Sequence, residues 1–130
     1  MFPFIETMQL IGSNLSNLEF HQARIDEVFK NFYSNYPSLS LQNIQTNILN
    51  NTSNIKKCRL LYNHHYYNIQ ISDYNPAIFN QFYLMECKLN YKYKYYDRLL
   101  LEHIKSNLHA DIEIILTSDG LINDTSYANI

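Results

Sequence analysis

The sequence predicts an α/β protein of the α+β kind. A small two-layer N-terminal domain spans about residues 1–88, and a helix and two strands over 89–130 either pack on it or open a second, β-rich domain. Three observations predict this. Apolar residues alternate with polar ones in some segments and recur with helical spacing in others. Gly, Asn, Asp and Ser gather where the period changes. The segments then follow the order ββααβββ and αββ, with no internal repeat or low-complexity tract.

Residues 2–11 (FPFIETMQLI) mix alternation with apolar runs and read as a strand ended by Gly12-Ser13-Asn14. A short strand around Leu15–Leu18 closes a hairpin. From Glu19 to Tyr33 the period changes: Phe20, Ala23, Ile25, Val28, Phe29 and Phe32 follow helical spacing with charges between them. Asn35-Tyr36-Pro37-Ser38 stops that helix. Leu41, Ile44, Ile48 and Leu49 predict a second, shorter one, which dissolves into Asn50-Asn51-Thr52-Ser53-Asn54.

The strongest β signal follows. Ile55–Tyr62 and Tyr66–Ser72 flank Asn63-His64-His65, the composition of a hairpin. Phe82–Leu89 reads as another strand. Asp97–Leu108 is a helix with Leu100, Leu101, Ile104 and Leu108 on its apolar face. Asp111–Leu116 is a strand that leads into the tight turn Ser118-Asp119-Gly120, and Leu121-Ile122 restarts a strand.

Composition narrows the function classes. The 130 residues are 46% hydrophobic and 15% aromatic with only two Gly and three Pro, which excludes a disordered or collagen-like chain. Charged residues make up 17% and the net charge is −2, so there is no basic excess to neutralise a nucleic-acid backbone. The abundance of Asn, Tyr and Ile reads as coding bias of an AT-rich genome. Cys58 and Cys87 lie on strand segments, and no basic-then-apolar leader or membrane-length run is present. Two reduced, packed thiols in a cytoplasmic protein are expected.

Few residues suggest chemistry by pattern alone. His64-His65 sits at a hairpin tip, where neighbouring side chains diverge and solvent-facing histidines are the expectation. His103 and His109 have no Cys or carboxylate at metal spacing, and no phosphate-cradling Gly loop or Gly-x-Ser-x-Gly elbow exists. The run Tyr91-Lys92-Tyr93-Lys94-Tyr95-Tyr96-Asp97-Arg98 interleaves cations with aromatics. It reads as a strand edge entering a helix, with base stacking by a small nucleic-acid binder as the less favoured reading.

Three stretches carry a resemblance. Phe4-Ile5-Glu6-Thr7 followed by His21-x-x-Arg24-Ile25 resembles the opening of class IV (fold type IV) pyridoxal-phosphate enzymes. That family holds branched-chain and D-amino-acid aminotransferases and aminodeoxychorismate lyase. Lys94-Tyr95-Tyr96-Asp97-Arg98 looks like its Lys-x-x-Asn-Arg stretch before a helix. Ser118 to Ile130 (SDGLINDTSYANI) looks like its Gly-x-(Val/Ile)-x-Glu-(Gly/Thr)-Ser-x-x-Asn-(Ile/Val) element. The three occur in order from one end of the chain to the other, and the closest match is to the small, lyase-like members.

The resemblance implies roles at matching positions. Lys94 is the lysine that joins the cofactor, pyridoxal 5'-phosphate, covalently; Lys92, two residues earlier, is its register competitor. Arg24 binds the cofactor phosphate. Asp124 takes the place of a glutamate that pairs with the pyridine nitrogen, and is one methylene shorter. The implied activity is a lyase or aminotransferase, most like conversion of aminodeoxychorismate to 4-aminobenzoate and pyruvate in folate synthesis. The implied partners are an amino-acid-like small molecule and a second copy of the chain, with no nucleic acid and no membrane. Family members continue past the Asn-(Ile/Val) element, so 89–130 is expected to be an incomplete start of the cofactor-binding domain, completed by further chain or by self-association. The alternative from another class is a truncated, non-catalytic relative that serves binding or assembly.

Overall fold

The computed structural model describes residues 2–49, 53–87, 93–95 and 99–125. The chain is α+β, and its elements follow the order that the sequence predicts. They form two compact units, Met1–Asn75 with Tyr93–Tyr96, and Pro76–Lys92 with Asp97–Ile130.

The first unit contains β1 (Phe4–Ile11), β2 (Asn14–Leu15), α1 (Leu18–Phe32), α2 (Leu41–Thr46), β3 (Ile55–Tyr62) and β4 (Tyr67–Asp73). Its strands form an antiparallel sheet in the order β2-β1-β3-β4. Gly12, at φ +58°, makes the tight β1–β2 turn that side-chain-bearing residues resist. Phe4 lies opposite Tyr62, Glu6 opposite Leu60 and Met8 opposite Cys58, so these residues share one face. That face packs on Ile25, Val28 and Phe29 of α1 and Leu41 and Ile44 of α2. Sheet and helices are therefore two layers with one core between them. Each fully buried side chain there, such as Leu60 or Ile25, stabilises the unit by about 1.5–3 kcal/mol.

Aromatic rings close one end of this core. The Phe4 ring lies 5.2 Å from Phe32 and 5.8 Å from Tyr62. The chain returns here at Tyr93 and Tyr95, with rings 6.5 and 5.4 Å from Phe4. The Ile5 N–H donates to the Lys94 carbonyl at 3.0 Å, and Tyr95 bridges to Phe4 in antiparallel fashion.

The second helix is shorter than its apolar spacing suggests, ending at Thr46 rather than Leu49. The Asn47 side chain donates to the Asn43 carbonyl, and the Ile48 N–H tightens onto Gln45. These bonds satisfy the helix terminus without another turn. Ile48 is buried all the same.

The second unit contains β5 (Gln81–Glu86), α3 (Leu99–Ser106), β6 (Ile112–Ser118) and β7 (Leu121–Thr125), its sheet ordered β5-β6-β7. Sequence order groups β5 with the strands before it, yet it pairs in parallel with β6. Parallel pairing is made across an intervening helix and leaves no local signal. Leu101 of α3 is buried on Ile114 and Leu116, with Met85, Ile104 and Leu108 packed around them. Asp119 and Gly120 at φ 52° and 77° form the β6–β7 turn, the positive-φ pair that suits strand twist. The thiols of Cys58 and Cys87 are free, and burial pushes the Cys58 thiol up to about 11. Among the described residues, no helix is long and apolar enough to cross a membrane.

Candidate functional site

Strand alternation places Glu6 on the inward face of β1, between Phe4 and Met8, where an apolar residue would be ordinary. Helical spacing places His21 and Arg24 three residues apart on α1, beside the buried Ile25 and Val28. The two elements bring these side chains together. Glu6 is 1% exposed. Its Oε1 accepts from Arg24 Nε at 2.8 Å, its Oε2 accepts from Arg24 Nη2, and His21 Nδ1 lies 2.6 Å from the same Oε2. A nitrogen that close to a carboxylate oxygen must carry the proton, so His21 donates to Glu6. The 3.2 Å approach of Arg24 Nη2 to His21 Nδ1 is therefore two donors meeting at one acceptor rather than a further hydrogen bond.

Burial alone would raise the pKa of the Glu6 carboxyl. The hydrogen bonds from His21 and Arg24, reinforced by the charges of both groups, outweigh it and hold the carboxyl below the usual carboxylate range. Burial, with the Glu6 charge adding to it, keeps the neighbouring Tyr62 hydroxyl protonated far above its ordinary range. Arg24 is gripped from below by this carboxylate in a two-pronged geometry, while its side chain stays 28% exposed.

Lys94 belongs to the same unit. It is placed through its backbone beside Ile5, one residue from Glu6 along β1, and it is half-buried. Asp124 belongs to the second unit. The ladder shifts between Leu116 and Thr117, leaving Asn123 as an extra residue on β7 and setting Asp124 opposite Leu116. That bulge turns Asp124 to the face that carries the α3 core. Its carboxylate is buried, and Oδ1 accepts from the Thr125 N–H at 2.9 Å. Lys92, Asp97-Arg98 and Ser126 to Ile130 lie outside the described residues.

The sequence reading assigned no role to Glu6 or His21, although both fall within the motif stretches. The available signal was a carboxylate at an inward position of an alternating strand, matched to a His and an Arg on one helix face.

No family model matches the chain. Over 136 aligned residues it is 26% identical to an uncharacterized protein of Haemophilus influenzae (strain ATCC 51907 / DSM 11121 / KW20 / Rd), covering all of this chain and 71% of that protein. It also matches the crystal structure of a "putative 4-amino-4-deoxychorismate lyase" from Haemophilus somnus 129PT, with a TM-score of 0.80 and 26% identity. That match covers 97% of this chain and 68% of the other. The likeness is one of fold and sequence together, and it runs through both units.

The residues present suit a phosphate-bearing aldehyde in their chemistry. The first unit supplies a primary amine at Lys94 and a guanidinium at Arg24, oriented by a buried carboxylate yet still partly exposed.

Proposed function

We propose that this chain acts in a pyridoxal-phosphate-dependent lyase or aminotransferase, most like aminodeoxychorismate lyase. Its substrate would be a small amino-acid-like molecule, and it would work in the cytoplasm as a homodimer. The observation that carries the reading is the likeness to the lyase-named Haemophilus somnus protein over 97% of the chain. The Glu6–His21–Arg24 cluster supports it independently, because it fixes a cation in a defined orientation on the motif that resembles the family's phosphate-binding stretch.

When bound, the cofactor supplies an electron sink for carbanion chemistry. The protein supplies the rest. Arg24, held by Glu6, offers paired N–H donors to a phosphate and sets its position. The Asp124 carboxylate, buried on the α3 side of β7, would accept a hydrogen bond from a protonated ring nitrogen and keep that nitrogen charged. Lys94 would provide the amine that holds the aldehyde, and that amine would carry a proton to or from the substrate Cα.

The test is chemical labelling. The chain is incubated with pyridoxal phosphate, reduced with borohydride and mapped by peptide mass. A single adduct on Lys94, absent in Lys94→Ala, is expected. An adduct on Lys92, or label spread over surface lysines, overturns the assignment. Release of pyruvate without an oxo-acid acceptor would mark the lyase, and dependence on such an acceptor would mark the aminotransferase.

A further inference from the structure

His21 is buried, and the function proposed above gives it no task of its own. It stands one turn before Arg24 on the same face of α1, and both side chains reach one oxygen. Glu6 Oε2 accepts from His21 Nδ1 at 2.6 Å and from Arg24 Nη2, while Arg24 Nε meets Oε1 at 2.8 Å. An ionised carboxylate offers about four lone-pair positions and can serve these three donors at once. A protonated one cannot, because its O–H oxygen becomes a donor.

Burial pushes the Glu6 carboxyl toward that protonated form. The hydrogen bond from His21 is the largest single contact that opposes it, ahead of those from Arg24. Removing the His21 donor therefore loosens the two-pronged hold on Arg24 as well. Exposure separates the two helix residues. The Arg24 side chain is 28% exposed and that of His21 only 9%, so an incoming anion meets the guanidinium rather than the imidazole. We propose that His21 is a positioning residue for phosphate binding, acting through Glu6 to set the orientation of the Arg24 guanidinium. The inference rests on the cofactor reading above, in which Arg24 binds the phosphate.

Pyridoxal phosphate and pyridoxal test it, since they share a ring and an aldehyde and differ in the phosphate. Both affinities are measured on the full chain by equilibrium dialysis, and each variant is scored by their ratio. A general loss of folding acts on both ligands alike and leaves that ratio unchanged. Wild type should prefer pyridoxal phosphate, and Arg24→Ala should remove most of the preference. His21→Phe keeps a ring but removes the donor, and should cut the preference about tenfold, the worth of one charge-assisted hydrogen bond. His21→Asn places an amide N–H near the position of Nδ1 and should restore most of it. In a Glu6→Gln background, His21→Phe should change the preference by about twofold at most, because both residues act through one carboxylate. An unchanged preference in His21→Phe, no rescue by His21→Asn, or a full tenfold loss in the Glu6→Gln background overturns the inference and leaves the cofactor reading in place. A wild type with no preference for pyridoxal phosphate, or an Arg24→Ala variant that keeps it, overturns that reading and this inference with it.

Discussion

A carboxylate as buried as that of Glu6 stays charged because two donors face it, which ties the residue to both truncation and acid. Glu6→Ala leaves Arg24 and His21 beside an empty site, and removing one partner of a buried ion pair costs about 3–5 kcal/mol. Denaturant unfolding should show that loss as a lower midpoint, with Glu6→Gln losing less because it keeps an acceptor. The pH dependence follows from the direction of the shift. The folded-state pKa of Glu6 lies below its ordinary value of 4.5, so the unfolded chain takes up the proton first as pH falls. The stabilisation is therefore complete above that ordinary value and is lost as pH drops through the folded value. Unfolding midpoints measured at falling pH should show the wild type losing stability there, and Glu6→Gln should flatten that limb. An unchanged limb in Glu6→Gln would show that other carboxyls set it.

At the scale of elements, the β6–β7 turn is the sensitive point of the second unit. Gly120 at φ +77° has open space where a Cβ would stand, so any cost of substitution comes from the backbone and not from a clash. Gly120→Ala should cost about 1 kcal/mol, read from the thermal midpoint, and Gly120→Asn should cost less because Asn tolerates this region. The turn also governs Asp124, whose face is set by the bulge at Asn123 in the short strand that the turn starts. Turn residues are visible in a sequence because few side chains accept positive φ. A bulge is not, since an extra residue in a strand leaves alternation nearly intact over so short a run.

For the whole molecule, Phe4 links segments far apart in the chain. Its ring meets Phe32 and Tyr33 of the α1 end, Tyr62 of β3, and Tyr93 and Tyr95 where the chain returns. Phe4→Ala should destabilise the first unit by about 3–5 kcal/mol. It should also speed hydrogen exchange at the Ile5 amide, which is bonded to the Lys94 carbonyl. Slow exchange at Ile5 in that variant would show that backbone pairing alone holds the returning segment.

The order of strands and helices was legible from sequence because the signals behind it are local. Alternation marked β1 and β3, helical spacing marked α1 and α3, and Gly12 and Asp119-Gly120 marked the turns. Lys94, Arg24 and Asp124 stood out in the sequence only as matches to motif stretches. Tertiary structure decided the rest. Whether Arg24 stands alone or shares a carboxylate with His21 depends on β1 and α1 packing face to face, 15 to 18 residues apart in the chain. The parallel pairing of β5 with β6 and the burial of Asp124 depend on register, which arises from side chains filling a shared core. A sequence displays each residue's preference for helix, strand or turn. It does not display which inward-facing residues will meet, because that is settled by the packing of distant segments against one another.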